Sequence, residues 1–172
     1  MEEAKSRLAK VQTVLTSEIV NNSLWQISYK FSQKFKHPDI KVVSDKKVKA
    51  VNAQGYKFAL MEPEVDKFNK KTFSFQVKEL RSNWIAVGFC NQKIVESKNY
   101  SFVFGSIGHG AYMVSSNGGS WSNHSAGENN TLKAIKFGKG DIVHATIDPS
   151  ALSITFRKNS SAEVYVLPYK LQ

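Results

Sequence analysis

The side chains able to act as metal ligands, nucleophiles or general bases are few and scattered along the chain. There are four histidines, His37, His109, His124 and His144, and no two stand at a metal-ligand spacing on one element. Cys90 is the only cysteine, which excludes a cysteine-built zinc site and an intramolecular disulfide. His144 alternates with apolar neighbours in Ile142-Val143-His144-Ala145-Thr146-Ile147, the pattern of a strand residue that faces the surface or has its hydrogen bonds satisfied. His109 lies between Gly108 and Gly110, a turn position. Ser44-Asp45-Lys46-Lys47 has the S-x-x-K spacing of penicillin-binding enzymes but none of their companion motifs. Gly105 to Gly110 has neither G-x-S-x-G spacing nor the following lysine of a phosphate loop. Glycoside chemistry needs converging acids, and Glu128 is the only acid between Ser101 and Asn130. The expectation is a protein that is not an enzyme and uses no cofactor and no metal.

Charge is the next signal. The formal net charge is +10, and its distribution is uneven. Seven lysines, Lys30, Lys34, Lys36, Lys41, Lys46, Lys47 and Lys49, face only Asp39 and Asp45 in their stretch of the chain. From Ser101 to Asn130 there is no Lys or Arg, and Ser, Gly and Asn make up more than half of the residues. A basic side of this kind matches an acidic partner or simply aids solubility. No apolar run approaches the length of a membrane span, and the charged start MEEAKSRLAKVQ is not followed by the apolar block of a signal peptide. With the lone cysteine, this predicts a cytoplasmic protein without membrane contact.

Positioning such residues requires a scaffold, and two periodicities divide the chain. Over residues 1–22 Leu8, Val11, Leu15 and Ile19 recur at three and four, which predicts a helix. It is too short to stand alone, so it must dock on the domain, pair with another chain to form an oligomer, or end a longer coiled coil. Over residues 23–172 the period becomes two: 40–43, 47–51, 72–77, 142–147 and 152–156 read as strands. Trp84 to Cys90 is nearly all apolar, as expected of a strand covered on both faces. Turn signals at His37-Pro38-Asp39, Asn117-Gly118-Gly119, Gly138-Lys139-Gly140-Asp141 and Asp148-Pro149-Ser150 separate these strands, with no interleaved helices. The fold class is therefore all-β, a two-sheet antiparallel sandwich led by a short N-terminal helix. Trp84, Val87, Phe89, Phe75, Ile147 and Phe156 are the expected deep core.

Four segments then resemble one family. Phe73-Ser74-Phe75-Gln76-Val77 resembles the aromatic strand that opens a SPRY/B30.2 core, and Trp84 to Cys90 its "W-x-h-G-h-C" strand. Gly110-Ala111-Tyr112 with Ser116-Asn117-Gly118-Gly119-Ser120-Trp121 is similar to its "G-Y … S-N-G … W" segment. Phe137 to Val143 and Ile147 to Asn159 resemble "F-x-x-G-D-h-h-x-h-x-h-D … h-x-F-x-x-N". The resemblance implies a concanavalin-like jelly roll that recognises a peptide segment or a folded protein through loops at one end. Two strands normally follow the last motif, and Val164 to Gln172 is too short for both, so the sandwich is expected to be truncated at its C-terminus.

Carried over to this chain, the resemblance assigns the first binding loop to Asp45, Lys46 and Lys47 and the second to Arg81, Ser82 and Asn83. Tyr100 takes the place of a pocket-lining tyrosine. Asn117 and Trp121, within the Ser/Gly/Asn-rich stretch, join these as candidate partner contacts, because rigid aromatics among small polar residues suit binding loops. A galectin-type lectin would need His-x-Asn-x-Arg and a Glu three residues after its Trp. Here no Arg lies between Arg81 and Arg157, and His124 stands three residues after Trp121. The alternative of another class is a basic surface for nucleic acid or acidic protein tails, with Tyr29, Phe31 and Phe35 as stacking faces. Against the nucleic-acid form of it, no RNA-binding motif is present.

Overall fold

The computed structural model describes residues 27–52, 54–80, 84–103, 106–159 and 161–170. The expected helix over 1–22 and the loop Arg81, Ser82 and Asn83 lie outside the described residues. What is described is all-β. Strands β1 (Lys30–Lys36), β2 (Ile40–Ser44), β3 (Lys47–Ala50), β4 (Tyr56–Lys57), β5 (Ala59–Glu62) and β6 (Lys71–Gln76) precede β7 (Ala86–Cys90). One short helix, α1 (Gln92–Ser97), then leads to β8 (Ser101–Phe102), β9 (Ala111–Ser115) and β10 (Ser120–Ser122). A 3₁₀ turn at Ala126–Glu128 and strands β11 (Ile142–Asp148), β12 (Ser153–Lys158) and β13 (Val164–Pro168) complete the order. Every pairing is antiparallel: β1 with β5, β2 with β3, β4 with β8, a β10-β9-β7 sheet and a β13-β12-β11-β6 sheet. No helix among the described residues is long and apolar enough to cross a membrane.

The four-stranded sheet follows directly from period-two alternation. Val143 and Ala145 of β11, Ile154 and Phe156 of β12 and Leu167 of β13 all point to one face and are fully buried. The opposite face is polar, and its side chains bond across strands: Thr72 Oγ1 to Thr146 Oγ1 and Ser74 Oγ to His144 Nδ1, each at 2.8 Å. His144 is thus a satisfied strand residue, as its alternation predicts. The β11–β12 hairpin is closed by Asp148, whose Oδ1 accepts from Ser150 N and Ala151 N at 3.1 and 3.2 Å and from Ser150 Oγ at 2.7 Å. These donors, Ser150 first, and the nearby Lys70 hold the Asp148 carboxyl down at about 2.

Strand β9 supplies the centre of the molecule. Its five residues are all buried because it is covered on both faces. Tyr112 and Val114 join a cluster with Val77, Ile135, Phe137, Val143, Ile154, Phe156 and Leu167, whereas Ala111 and Met113 join a second one with Phe102 and Trp121. The expectation had placed the doubly covered strand at Trp84 to Cys90. There every residue is only half-buried, because β7 forms an edge of its sheet and β9 takes the middle. Among the expected deep core, Phe156 is fully buried, but Trp84, Val87, Phe89, Phe75 and Ile147 are half-buried. Phe75 belongs to edge strand β6, and Ile147 lies near the end of β11. Helix α1 is the other departure. Asn91 Oδ1 caps Ile94 N at 3.2 Å, and the fully buried Val95 anchors the single turn.

Candidate functional site

The first predicted loop is the turn of the β2–β3 hairpin. Asp45, Lys46 and Lys47 are all exposed, and the turn is pinned to the start of β1 by Phe31 N–H donating to Asp45 O at 2.8 Å. Lys46 reaches further and donates from Nζ to Tyr29 O. This contact makes Lys46 one wall of an open groove of about 430 Å³, lined by Ile27, Ser28, Tyr29, Met61 and the β6 segment Lys71 to Ser74. The groove floor is aromatic: Tyr29 meets Phe73 edge-on at 4.8 Å, and Lys71 Nζ sits 5.5 Å from the centre of the Tyr29 ring. The volume lies within the usual range of ligand sites, about 300–1,000 Å³. Sequence reasoning named Lys46, and Tyr29 only as a stacking face of the basic-surface alternative, but missed Met61, Lys71 and Phe73 as its companions. The signal for Phe73 and Lys71 was present as an aromatic strand begun by a lysine pair, but nothing in the order of residues brings Tyr29 to it.

Tyr100 stands elsewhere. It follows α1 with its neighbour Asn99, and both have left-handed backbones (φ 56° and 51°). Such angles are uncommon outside glycine, and for a bulky residue they are costly. Tyr100 N donates to Val95 O at 3.0 Å and its carbonyl accepts from Phe58 N at 2.8 Å, which fixes the bend. Burial, and then the neighbouring Glu96 carboxylate, push the phenol upward. Phe58 O in turn accepts from His37 N, just past the end of β1, whereas Asp45 pairs beside Phe31 at its start. Tyr100 is not among the residues that line the groove at the Lys46 turn. The fold does not gather them into one pocket.

Asn117 and Trp121 are close to each other, but in a structural role. Ser115 Oγ donates to Asn117 Oδ1 at 2.8 Å, and that same oxygen accepts from Gly119 N at 3.3 Å. Trp121 Nε1 donates to Ser115 Oγ at 3.2 Å. The ring is 5% exposed and packs edge-on against Trp84 and Phe102. Trp121 is therefore a core residue rather than a partner contact, because the alternation of β10 turns it inward beneath β8. Asn117 is exposed, and its side chain is occupied in tying the β9–β10 turn together.

The chemistry-bearing side chains are likewise taken up by local structure. His109 is 1% exposed; its Nδ1 accepts from Ala111 N at 3.1 Å, so Nε2 carries the proton it shares with Asn129 Oδ1 at 2.9 Å. Burial, above all, keeps this imidazole below its usual pKa. Cys90 is pushed up to about 12 by burial, which leaves it as a thiol rather than a nucleophile. His37 Nδ1 accepts from Asp39 N at 3.1 Å, and His124 Nδ1 meets Tyr112 OH at 3.1 Å. No cluster of three His, Cys, Asp or Glu side chains able to hold a metal occurs among the described residues. Comparison of the chain with protein-family models, curated proteins and solved structures returns no match.

Proposed function

We propose that this chain is an interaction module of the SPRY/B30.2 kind, a two-sheet jelly-roll sandwich that binds a protein or peptide partner and performs no catalysis. The order of the four motif segments supports the family reading. The single observation that carries the function is the groove at the Lys46 turn. It combines a cationic rim, the half-buried Phe73 backed by Tyr29 and a rigid antiparallel frame, a mixture from which binding hot spots are made. Tyr100 is a second contact point, outside that groove.

A second reading, a diffuse basic surface, draws on Lys41 and Lys49. They stand directly opposite each other on β2 and β3, both exposed, and neither forms an ion pair among the described residues. Like charges in register cost stability. Its nucleic-acid form is weakened at Tyr29, whose ring is 7% exposed and packed on Phe73, leaving no stacking face.

The test is enrichment of binding proteins from cell extract by wild-type protein, Lys46→Ala and Tyr100→Ala, each hit then being purified and titrated by calorimetry. A partner of the proposed kind loses about 1–3 kcal/mol of affinity with at least one variant while the melting temperature stays put. The reading fails if no protein depends on either residue and the bound material is nucleic acid. Its affinity would then fall by orders of magnitude between about 50 and 200 mM salt.

A further inference from the structure

We propose that the outer edge of β6 is a docking site for an extended acidic peptide, which adds a strand to the four-stranded sheet and sets its carboxylates against Lys46 and Lys71. The inference rests on the reading of the chain as a protein-binding module and names the chemistry of the partner.

The first observation is an unpaired edge. β6 pairs with β11 on one side, and no strand among the described residues covers the other. Val77 N donates to Asp141 O at 2.9 Å and Gly140 N to Val77 O at 2.8 Å. The alternation of an antiparallel ladder therefore turns the main-chain groups of Lys71, Phe73 and Phe75 toward β11 and those of Thr72 and Ser74 away from it. The side chains of Thr72 and Ser74 are already engaged by Thr146 and His144 on the outer face, so backbone is what these residues present to the groove. A row of unpaired donors and acceptors is a template for a further strand.

The second observation is charge. Lys46 and Lys71 line the groove, and no acidic residue does. Of the carboxylates on neighbouring segments, Glu62 faces Lys30 at 3.7 Å, Asp66 is held chiefly by Asn69 and the Phe68 amide, with Lys71 contributing a weaker attraction, and Asp45, beside Lys46 in its turn, is exposed and does not line the groove. The third is apolar surface that is left uncovered among the described residues. Ile27, in the groove lining, is 54% exposed, and Phe68, three residues ahead of β6, is 87% exposed. A peptide that alternates acidic and apolar side chains satisfies all three at once, because its period of two matches the strand it would extend. Nucleic acid has no backbone of alternating N–H and C=O groups at strand spacing to complete the ladder. A second copy of this chain would bring its own Lys71 and a net charge of +10 to an edge that is already basic.

The probe is a fluorescent ten-residue peptide of alternating Glu and Val, titrated by anisotropy into the 172-residue chain, with amide NMR shifts recorded in parallel. Its comparators are the same peptide N-methylated at alternate residues, a Lys-for-Glu peptide, and a single-stranded RNA of equal charge. The acidic peptide is expected to bind and to shift the Thr72 and Ser74 amides, and N-methylation to weaken it at least tenfold. Lys46→Glu and Lys71→Glu should each weaken it about fivefold or more, whereas Lys41→Glu with Lys49→Glu should change it less than twofold. The proposal is overturned if the N-methylated peptide binds equally well, if the Lys41 and Lys49 changes weaken binding as much, or if the RNA shifts the same amides with the same variant dependence. If no probe moves the β6 amides, this docking site falls. The enrichment experiment with Tyr100→Ala then decides separately whether the chain is a binding module at all.

Discussion

Gly88, the glycine of the "W-x-h-G-h-C" segment, sits where β7 passes closest to β9. It stands opposite Met113 in the ladder that runs from Ala86↔Ser115 to Cys90↔Ala111. A Cβ added there would fall onto Tyr112 O and lie 2.6 Å from Met113 Cα. Carbon atoms in good contact are about 3.5–4.0 Å apart, so the deficit is about 1 Å against main chain, which cannot rotate away as a side chain would. Relief requires β7 to move off β9, whose five residues are all buried. Overpacking typically costs about 1–3 kcal/mol, and an obstacle made of backbone puts Gly88→Ala at about 3 kcal/mol or above. For a chain of this size that is a fall of roughly 6–12 °C in melting temperature. The control is Gly127→Ala in the 3₁₀ turn, where an added Cβ meets no heavy atom within 4 Å. It is expected to be neutral or to stabilise by about 0.4–1 kcal/mol through the unfolded chain. Urea titration followed by tryptophan fluorescence, with thermal melts alongside, measures both. A Gly88→Ala protein that melts with the wild type, or a Gly127→Ala protein that loses as much, would refute the close approach of β7 to β9.

Other outcomes follow from the polar network. His109 is held neutral in the fold, below the value near 6.5 of a free imidazole. The unfolded chain therefore takes up a proton first as pH falls, and stability should decline below about pH 6.5. Urea titrations at about pH 7.5 and pH 5 should show a shallower loss in His109→Gln than in the wild type; equal slopes would remove His109 from the account. Tyr165 OH donates to Glu128 Oε2 at 2.6 Å, and burial, then this bond, push the phenol up to about 12. The same bond is the leading cause that holds Glu128 low. Tyr165→Phe should cost about 1–2 kcal/mol at neutral pH, the lower part of the range for a charged hydrogen bond because both groups are partly exposed. Glu128 contributes above its unfolded pKa, so the gap between wild type and variant should close as pH falls through the lowered folded value; a gap that persists in acid would point to lost packing instead.

The antiparallel strands of the main sheet were legible in the residue order because alternation and β-branching act locally. Phe73 to Val77, Ile142 to Ile147 and Leu152 to Phe156 each declare a face without reference to any neighbour, and β6, β11 and β12 form there. The Asp148-Pro149-Ser150 turn is equally local, since its acceptor and donors are adjacent. Lys30 to Lys36 was read as a run of charge with Phe31 and Phe35 as candidate stacking faces, and it forms β1, because its lysines are tolerated on a solvated face while Ser32 turns inward. Helix α1 has too few residues to show a period, and its cap and the buried Val95 stabilise it only in place. What no pattern along the chain could supply was rank among neighbours. Apolar content made Trp84 to Cys90 look doubly covered, but whether a strand is central or at an edge depends on which strands pair with it, and β9 took the centre. The same holds for the site. The exposure of Lys46 could be read from its turn, whereas its meeting with Tyr29, Lys71 and Phe73, its distance from Tyr100 and the burial of Trp121 are set by contacts between segments far apart in sequence, and only the tertiary fold decides those.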